Sequence, residues 1–320
     1  MDCFQTITWI VTNECKFGCH YCKFANRDVA EASLEAKLGA LDVMASWPDA
    51  DKRFICLLGG DILFMPGVVD FVKKLNGLGL PYGFQTSASD YELMEKVAPW
   101  LRNFSISVDP VPHGDMSRWK KGLWGIYWAG RLREQNQSID VHATITVDRH
   151  NYRFVPDTVK MLSDMGIWVE ITLVHWHKLR FDFVPAKVVV GGFEPDDVPG
   201  LLWMVDMLCD MKSKGAKVHS SVEFLSMIPK YAVELDWKCP KPVNLVLDVD
   251  LSVRECLHLP GKRVREYSVF DLKSGQGWEK FMGDWKKDQD ELCPKCLWDC
   301  QYEAAVGSQD KVDGWFSHRG

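Results

Sequence analysis

The chain has 320 residues, of which 47% are hydrophobic and 26% are charged, and its formal net charge is −6. This apolar content allows a substantial core and excludes an intrinsically disordered chain. The acidic balance argues against duplex nucleic acid as a partner, and no segment resembles a signal peptide or a membrane span, so we expect a cytoplasmic protein.

Eight of the eleven cysteines fall into two groups, one towards each end of the chain. Clustered thiols in a cytosolic protein indicate metal binding rather than disulfides. The clustered positions are Cys15, Cys19 and Cys22 near the N-terminus and Cys239, Cys256, Cys293, Cys296 and Cys300 near the C-terminus.

Short β-branched runs alternate with amphipathic segments through about the first 220 residues. Strands are predicted at 6–11, 54–58, 82–86, 104–108, 141–147 and 169–174, with one more at 244–249. Helices are predicted at 29–46, 66–78, 90–100, 122–135, 155–165 and 196–214. This alternation predicts a parallel α/β sheet whose functional residues follow the C-terminal ends of its strands.

The segment after about residue 239 is rich in Lys, Trp, Asp and Cys and offers little material for a core. A metal site would stabilise such a segment. We therefore predict a larger domain over residues 1–225 and a small metal-stabilised domain over residues 226–320.

The first cysteine group has the spacing C-x3-C-x2-C and follows the first predicted strand directly. Three soft thiolate ligands suit an iron–sulfur cluster, and they leave one metal corner open for chemistry. A zinc site completed by His20 is the alternative interpretation.

This motif, with the aromatic Tyr21 before its last cysteine, closely resembles that of the radical S-adenosylmethionine (SAM) superfamily. The resemblance implies a partial (β/α)6 TIM-like barrel with a catalytic 4Fe–4S cluster on Cys15, Cys19 and Cys22, whose open iron binds SAM near Tyr21. It further implies an electron donor of the flavodoxin or ferredoxin type. One electron would cleave SAM to methionine and a 5′-deoxyadenosyl radical, which abstracts a substrate hydrogen.

Further strand ends resemble the SAM-binding motifs of the same family. Gly59-Gly60-Asp61 resembles the family's Gly-Gly-Glu, with an acid one methylene shorter, and implies a carboxylate paired with the SAM ammonium. The other implied SAM contacts at strand ends are Thr86, Ser107, Asp109 and Thr146.

The C-terminal cysteines are compatible with a zinc ribbon when taken alone. In this family they resemble a SPASM or Twitch extension, which implies a second, auxiliary 4Fe–4S cluster. The segment 245–256 looks like the hairpin that delivers its second cysteine, although Leu251-Ser252 stands where a glycine is common. The implied ligands are Cys239, Cys256, Cys293 and Cys296, with Cys300 replacing one of them or not binding.

Several other residues have two open interpretations. His175 or His177 is a general base or part of a solvated loop, and Glu170 is a SAM-side or a structural polar group. Cys3, Cys56 and Cys209 are core thiols, one of which could instead donate a hydrogen atom. Lys120 and Lys121 form a solvated surface turn or bind an acidic substrate.

The leading functional hypothesis is a radical SAM oxidoreductase or mutase, with the auxiliary cluster assisting oxidation or rearrangement. The first cysteine lies fourteen residues from the start, which favours a small polar metabolite (amino sugar, nucleoside or amino acid) over a leader-bearing peptide. The alternatives are a SPASM-type maturase of ribosomally made peptides and a zinc-stapled binding protein without catalysis.

Overall fold

A computed structural model describes most of the residues of the chain. These are 6–19, 21–22, 24–25, 27–110, 116–174, 193–234, 237, 244–254, 267–292 and 297. Outside them lie Cys3, His20, His175, His177, Cys239, Cys256, Cys293, Cys296 and Cys300.

The first six strands form a parallel sheet in sequential order, as the sequence predicts. Each of these six predicted strands agrees with the observed one to within one residue at either end, whereas the strand predicted at 244–249 ends at Leu247. The strands are β1 (Thr6–Thr12), β2 (Phe54–Gly59), β3 (Tyr82–Thr86), β4 (Asn103–Ser107), β5 (Asp140–Val147) and β6 (Trp168–Leu173).

Eight α-helices are described, two more than the sequence predicts. They are α1 (Leu34–Ala45), α2 (Val68–Gly77), α3 (Tyr91–Val97), α4 (Met116–Gln135), α5 (Val155–Asp164), α6 (Val198–Ser213), α7 (Val222–Glu234) and α8 (Gly275–Leu292). The helix α7 was not predicted, and Pro229 lies inside it, a residue that normally argues against a helix interior.

The start of α1 corrects one prediction. Ser33 caps this helix by accepting a hydrogen bond from the Ala36 N–H at 3.2 Å, so residues 29–32 precede it. Those residues bond to other segments instead, because the Asn13 side chain donates to the Val29 carbonyl and the Ala32 N–H donates to the Val249 carbonyl. Tertiary hydrogen bonds thus override helix propensity there.

The sheet continues past β1 into a C-terminal hairpin. The strand β7 (Asn244–Leu247) is parallel to β1, and β8 (Ser252–Arg254) and β9 (Tyr267–Ser268) follow antiparallel. The Asn244 amide joins the two segments, since Thr8 N–H donates to its oxygen at 3.1 Å. The predicted hairpin therefore exists.

The turn of this hairpin departs from the expected chemistry. Leu251 has φ +66°, a left-handed conformation that glycine adopts without cost and a side chain does not. The Leu251 side chain is buried, so packing opposes the backbone strain. The predicted domain boundary at residue 225 falls within α7, and the division into two domains stays a prediction.

Along the strands, apolar residues packed in the outer core alternate with inward-facing residues, many of which are polar. On β1, Ile7 and Trp9 are buried in the core, and the Trp9 ring meets Phe71 of α2 edge-to-face at 5.2 Å. Burying a side chain of this size contributes about 1.5–3 kcal/mol. The alternate residues Thr6 and Thr8 line a cavity on the other face. This face forms the lumen of the partial barrel.

Candidate active site

A cavity of about 260 Å³ occupies the lumen. It reaches from residues at the N-terminal ends of strands, such as Thr6 and Asn244, to the C-terminal ends of β2, β3 and β5. Barrel interiors are normally filled by branched apolar side chains. In this cavity, apolar side chains such as Phe54, Leu58 and Phe84 are joined by hydroxyl, amide and imidazole groups from the strands.

The cavity brings together all the predicted site residues in the described part of the chain except Asp109. Its lining includes Cys15, Cys19, Tyr21, Cys22, Gly59, Gly60, Asp61, Thr86, Ser107 and Thr146. These residues come from the ends of four strands, β2 to β5, and from the loop that follows β1. A parallel sheet places such ends at one edge.

The three cysteines lie half-buried in the cysteine loop, which we define as the described residues between 13 and 27. A backbone bond from Cys22 N–H to the Cys19 carbonyl at 2.9 Å makes the loop compact. Main-chain N–H groups two residues further on point at two of the sulfurs, Cys15 Sγ at 3.4 Å and Cys22 Sγ at 3.5 Å. Such donors stabilise negative charge on sulfur.

The three cysteines supply soft thiolate ligands of the kind that iron–sulfur clusters use. Among the described residues, no three His, Cys, Asp or Glu side chains converge closely enough to hold one metal ion. His20, which would complete the alternative zinc site, lies outside the described residues. The chemistry of the three thiolates thus fits an iron–sulfur cluster, and the choice of the cluster over zinc stays a prediction.

Gly59 and Gly60, which we call the glycine shelf, press directly against the start of the cysteine loop. A Cβ on Gly59 would lie 2.4 Å from the Thr12 carbonyl oxygen, and one on Gly60 would lie 2.1 Å from that of Glu14. The Gly60 N–H donates to the Thr12 carbonyl at 2.7 Å. The absence of side chains thus lets β2 hold the loop by its backbone.

Asp61 follows the shelf and is buried, with its carboxylate engaged by four donors of the protein. One oxygen accepts the Thr86 hydroxyl at 2.7 Å and the Leu63 N–H at 3.2 Å. The other accepts both the N–H and the hydroxyl of Ser87. Asp61 therefore ties the end of β2 to the end of β3.

Ala88, which follows Ser87 in the turn after β3, has φ +51°, so the backbone of this turn is strained. The Thr86 hydroxyl accepts the Ala88 N–H at 3.0 Å while it donates to Asp61. Asp61 and Thr86 thus hold a backbone conformation that a non-glycine residue seldom adopts.

Asp109 lies behind Tyr21 rather than on the cavity wall. Its carboxylate accepts a hydrogen bond from the Tyr21 hydroxyl, and its other oxygen accepts the Thr146 N–H at 3.2 Å. Both Tyr21 and Asp109 are buried. The predicted residues from the cysteine loop, β4 and β5 are therefore joined through Asp109.

The lumen also contains polar residues that are not among the site residues predicted from the sequence. Ser105 and Thr144 are hydrogen-bonded at 2.5 Å, and the Thr144 hydroxyl lies 3.4 Å from Glu170 of β6. His142 and His219 also line the cavity, and their rings meet at 5.8 Å. The signal in the sequence was a period of two, because Ser105, Ser107, His142, Thr144 and Thr146 alternate along β4 and β5.

Cys56 of β2 lines the same lumen. Desolvation by burial, together with the negative charge of Glu170, raises the pKa of this thiol to about 12. The two residues lie on strands that are far apart in sheet order, so their interaction crosses the lumen. Cys56 is consequently neutral at physiological pH.

Lys121 lies in a helix rather than in a surface turn, and its side chain is exposed as one of its two interpretations requires. Lys121 lies in α4 and lines the cavity, with its ammonium 4.5 Å from the centre of the Phe17 ring in the cysteine loop. The helix begins at Met116, six residues earlier than predicted. Lys121 places a positive charge at the cavity wall.

Comparisons by sequence and by structure give different results. No protein-family model matches the chain, and no curated protein matches it. Solved structures do match it. A separate observation concerns membranes: in the described part of the chain, no helix is long and apolar enough to cross one.

Two radical SAM enzymes illustrate the structural likeness. Streptococcus suis SuiB bound to S-adenosylmethionine is 11% identical with a TM-score of 0.63, over 87% of this chain and 67% of SuiB. The enzyme anSMEcpe with bound AdoMet is 13% identical with a TM-score of 0.64, over 98% of this chain and 96% of that one. A structure of SuiB bound to precursor peptide SuiA is also similar to this chain. It is 9% identical with a TM-score of 0.62, over 88% of this chain and 67% of SuiB.

The chain spans about two thirds of the SuiB chain. At these identities the likeness establishes the fold. The predicted partial TIM-like barrel of the radical SAM enzymes is confirmed for this chain.

Proposed function

We propose that the chain is a radical SAM enzyme that acts on a small polar molecule. One observation carries the proposal: within this fold, a single cavity is lined by three cysteines in C-x3-C-x2-C spacing, the glycine shelf and Tyr21. Active sites of such barrels lie at the C-terminal ends of the strands, where these residues are.

In this proposal Cys15, Cys19 and Cys22 hold a 4Fe–4S cluster, and the shelf, Asp61, Thr86, Ser107, Asp109 and Thr146 shape the SAM site. When bound, the cluster and SAM supply a 5′-deoxyadenosyl radical, formed with methionine from SAM and one electron of a flavodoxin- or ferredoxin-type donor, which takes a substrate hydrogen. The amides that point at Cys15 and Cys22 tune the charge on sulfur.

The proposed substrate is an amino sugar, a nucleoside or an amino acid. The lumen supports this choice, since hydroxyls from Ser105 and Thr144 and the Glu170 carboxylate offer several hydrogen-bond partners to a polar ligand. The buried and satisfied carboxylates Asp61 and Asp109 act mainly by fixing the walls of the site.

A peptide substrate is the second candidate. It is favoured by two structural neighbours, SuiB bound to precursor peptide SuiA and anSMEcpe with AdoMet and the Cp18Cys peptide. The anSMEcpe complex is 12% identical to this chain with a TM-score of 0.63 and covers 94% of it and 87% of its own chain.

The C-terminal region, residues 226–320, is proposed to hold an auxiliary 4Fe–4S cluster on Cys239, Cys256, Cys293 and Cys296, with Cys300 as the substitute ligand. The hairpin supports this idea, because β8 ends at Arg254, two residues before Cys256. An auxiliary cluster would assist the oxidation or rearrangement of the substrate.

Anaerobic purification followed by iron, sulfide and zinc analysis tests the cofactor content. Two clusters predict about eight irons per chain, and the first cluster alone predicts about four. Zinc without iron would overturn the proposal in favour of a zinc-stapled binding protein.

The catalytic claim is tested by 5′-deoxyadenosine formation from SAM under dithionite. Cys19→Ala is expected to abolish it, whereas Cys209→Ala in α6, outside the cavity lining, is the matched control and should retain it. Equal activity of the two variants would contradict the assignment.

Deuterated amino sugars, nucleosides, amino acids and short peptides then separate the two substrate classes. The radical transfers deuterium to 5′-deoxyadenosine only from the substrate position that it attacks. The labelled compound that yields deuterated 5′-deoxyadenosine therefore identifies both the substrate and that position. Transfer from peptides alone would replace the small-molecule assignment.

A further inference from the structure

A buried ion triad joins the cysteine loop to the C-terminal hairpin. We define the triad as Arg27, Asp248 and Arg254. Arg27 binds both oxygens of the Asp248 carboxylate, at 2.6 and 3.2 Å, and Arg254 binds one of the same oxygens. The Asp248 side chain is fully buried, and the side chains of Arg27 and Arg254 are only 11% and 18% exposed.

Arg27 also closes the base of the cysteine loop. Its Nε donates to the Asn13 side-chain oxygen at 3.0 Å, so the residues before Cys15 and after Cys22 are joined. Asn13 in turn donates from its side chain to the Val29 carbonyl at 2.9 Å. Both ends of the loop therefore depend on the position of one guanidinium group.

Asp248 fixes that guanidinium from the hairpin. It directly follows β7, and the backbone holds it there, because its N–H donates to the Ser252 carbonyl and its carbonyl accepts the Leu251 N–H, both at 2.9 Å. Arg254 adds the last residue of β8 to the same carboxylate. A planar guanidinium held at two points is fixed in orientation as well as in place.

We propose that Asp248 is a positioning residue that sets the conformation of the cysteine loop from the C-terminal hairpin. The hairpin would then fix the conformation of the cysteine loop, in addition to leading into the downstream cysteines. That this loop holds a cluster rests on the proposed function, whereas the mechanical link does not.

Amide hydrogen exchange on the full-length chain without cofactors tests the link. Asp248→Asn keeps the shape and removes the charge, and we expect exchange in residues 13–27 to rise about tenfold or more as the loop opens locally. Exchange in β3, β4 and β5 should stay unchanged. Asp250→Asn, an exposed carboxylate in the same hairpin turn, is the matched control.

Arg27→Lys is the second variant, and it remains informative if Asp248→Asn fails to fold. Lysine keeps the positive charge but cannot grip both oxygens of Asp248, so a smaller rise confined to residues 13–27 is expected. An unchanged loop, or a uniform rise across all strands, would overturn the proposal and leave Asp248 as a general stabiliser.

The same variants, after cluster reconstitution, extend the test to the site itself. The electron paramagnetic resonance spectrum of the reduced protein with SAM should change in Asp248→Asn and not in Asp250→Asn. If exchange responds but no cluster can be loaded, the positioning role stands and the proposed function fails.

Discussion

The cysteine loop is held on its two sides by different kinds of contact. On the β2 side, the glycine shelf lets backbone meet backbone, with the Gly60 N–H bonded to the Thr12 carbonyl. On the β7 side, the loop is held by the charges of Arg27 and Asp248. The first contact depends on the absence of side chains, and the second depends on ionised ones.

Because the two contacts differ in kind, different conditions should disrupt the contact on each side of the loop. Close packing of backbone is insensitive to pH, but it tolerates no added atom. A buried ion pair tolerates small shape changes, but it loses its stabilising effect when one charge is removed. Substitutions on each side therefore distinguish the two kinds of contact.

Removing the carboxylate should have the largest effect. Asp248→Ala leaves the Arg27 and Arg254 guanidinium groups close together without a counter-charge, and it should lower the free energy of unfolding by about 3–5 kcal/mol. Urea unfolding followed by circular dichroism measures this loss. Asp250→Ala in the same turn should cost only about 1 kcal/mol, and equal losses would show that burial of the charge is unimportant.

Adding one methyl group to the glycine shelf should disrupt the backbone contact on the β2 side of the loop. Gly60→Ala places a Cβ 2.1 Å from the Glu14 carbonyl oxygen and should destabilise the chain by about 3 kcal/mol through overpacking. Thermal unfolding gives the change. Gly130→Ala in α4, where nothing lies within 4 Å, is the control and should stabilise by up to about 1 kcal/mol.

Asp61→Asn should have an intermediate effect on the shelf side. An amide offers one oxygen where the carboxylate offers two, so a donor from Thr86 or Ser87 meets an N–H group. We expect a loss of about 2 kcal/mol in unfolding free energy, measured in urea. A neutral result would mean that the turn at Ala88 does not depend on Asp61.

Acid should weaken the contact of the loop on the β7 side. Burial raises the pKa of Asp248, but hydrogen bonds from Arg27 and the charges of Arg254 and Arg27 outweigh it and hold the pKa below the usual 3.8. The stabilisation is thus complete above the usual value and is lost as pH falls through the lower folded value. Unfolding free energy measured from pH 5 to 2 should fall less steeply in Asp248→Asn, and parallel curves would contradict this.

Much of the barrel could be predicted from the sequence. Strands such as Tyr82–Thr86 carry β-branched or aromatic residues in short runs, and local patterning suffices to find them. The cysteine spacing and the glycines also indicate residues that the fold brings together in one cavity. These signals are local in the chain.

The parts that the sequence could not predict depend on contacts between distant residues. Helix α1 begins late because residues 29–32 bond to Asn13 and Val249. The four donors to Asp61 come from three separate positions, Leu63, Thr86 and Ser87, and only the fold brings them together. The ion triad spans more than two hundred residues of sequence.

The place of β1 in the sheet has one further consequence. It lies between β2 and β7, so its main chain is paired on both sides. Without the hairpin, β1 would become an open edge next to the cysteine loop, and unpaired edges recruit strands from other chains. The C-terminal hairpin therefore also protects the sheet against self-association.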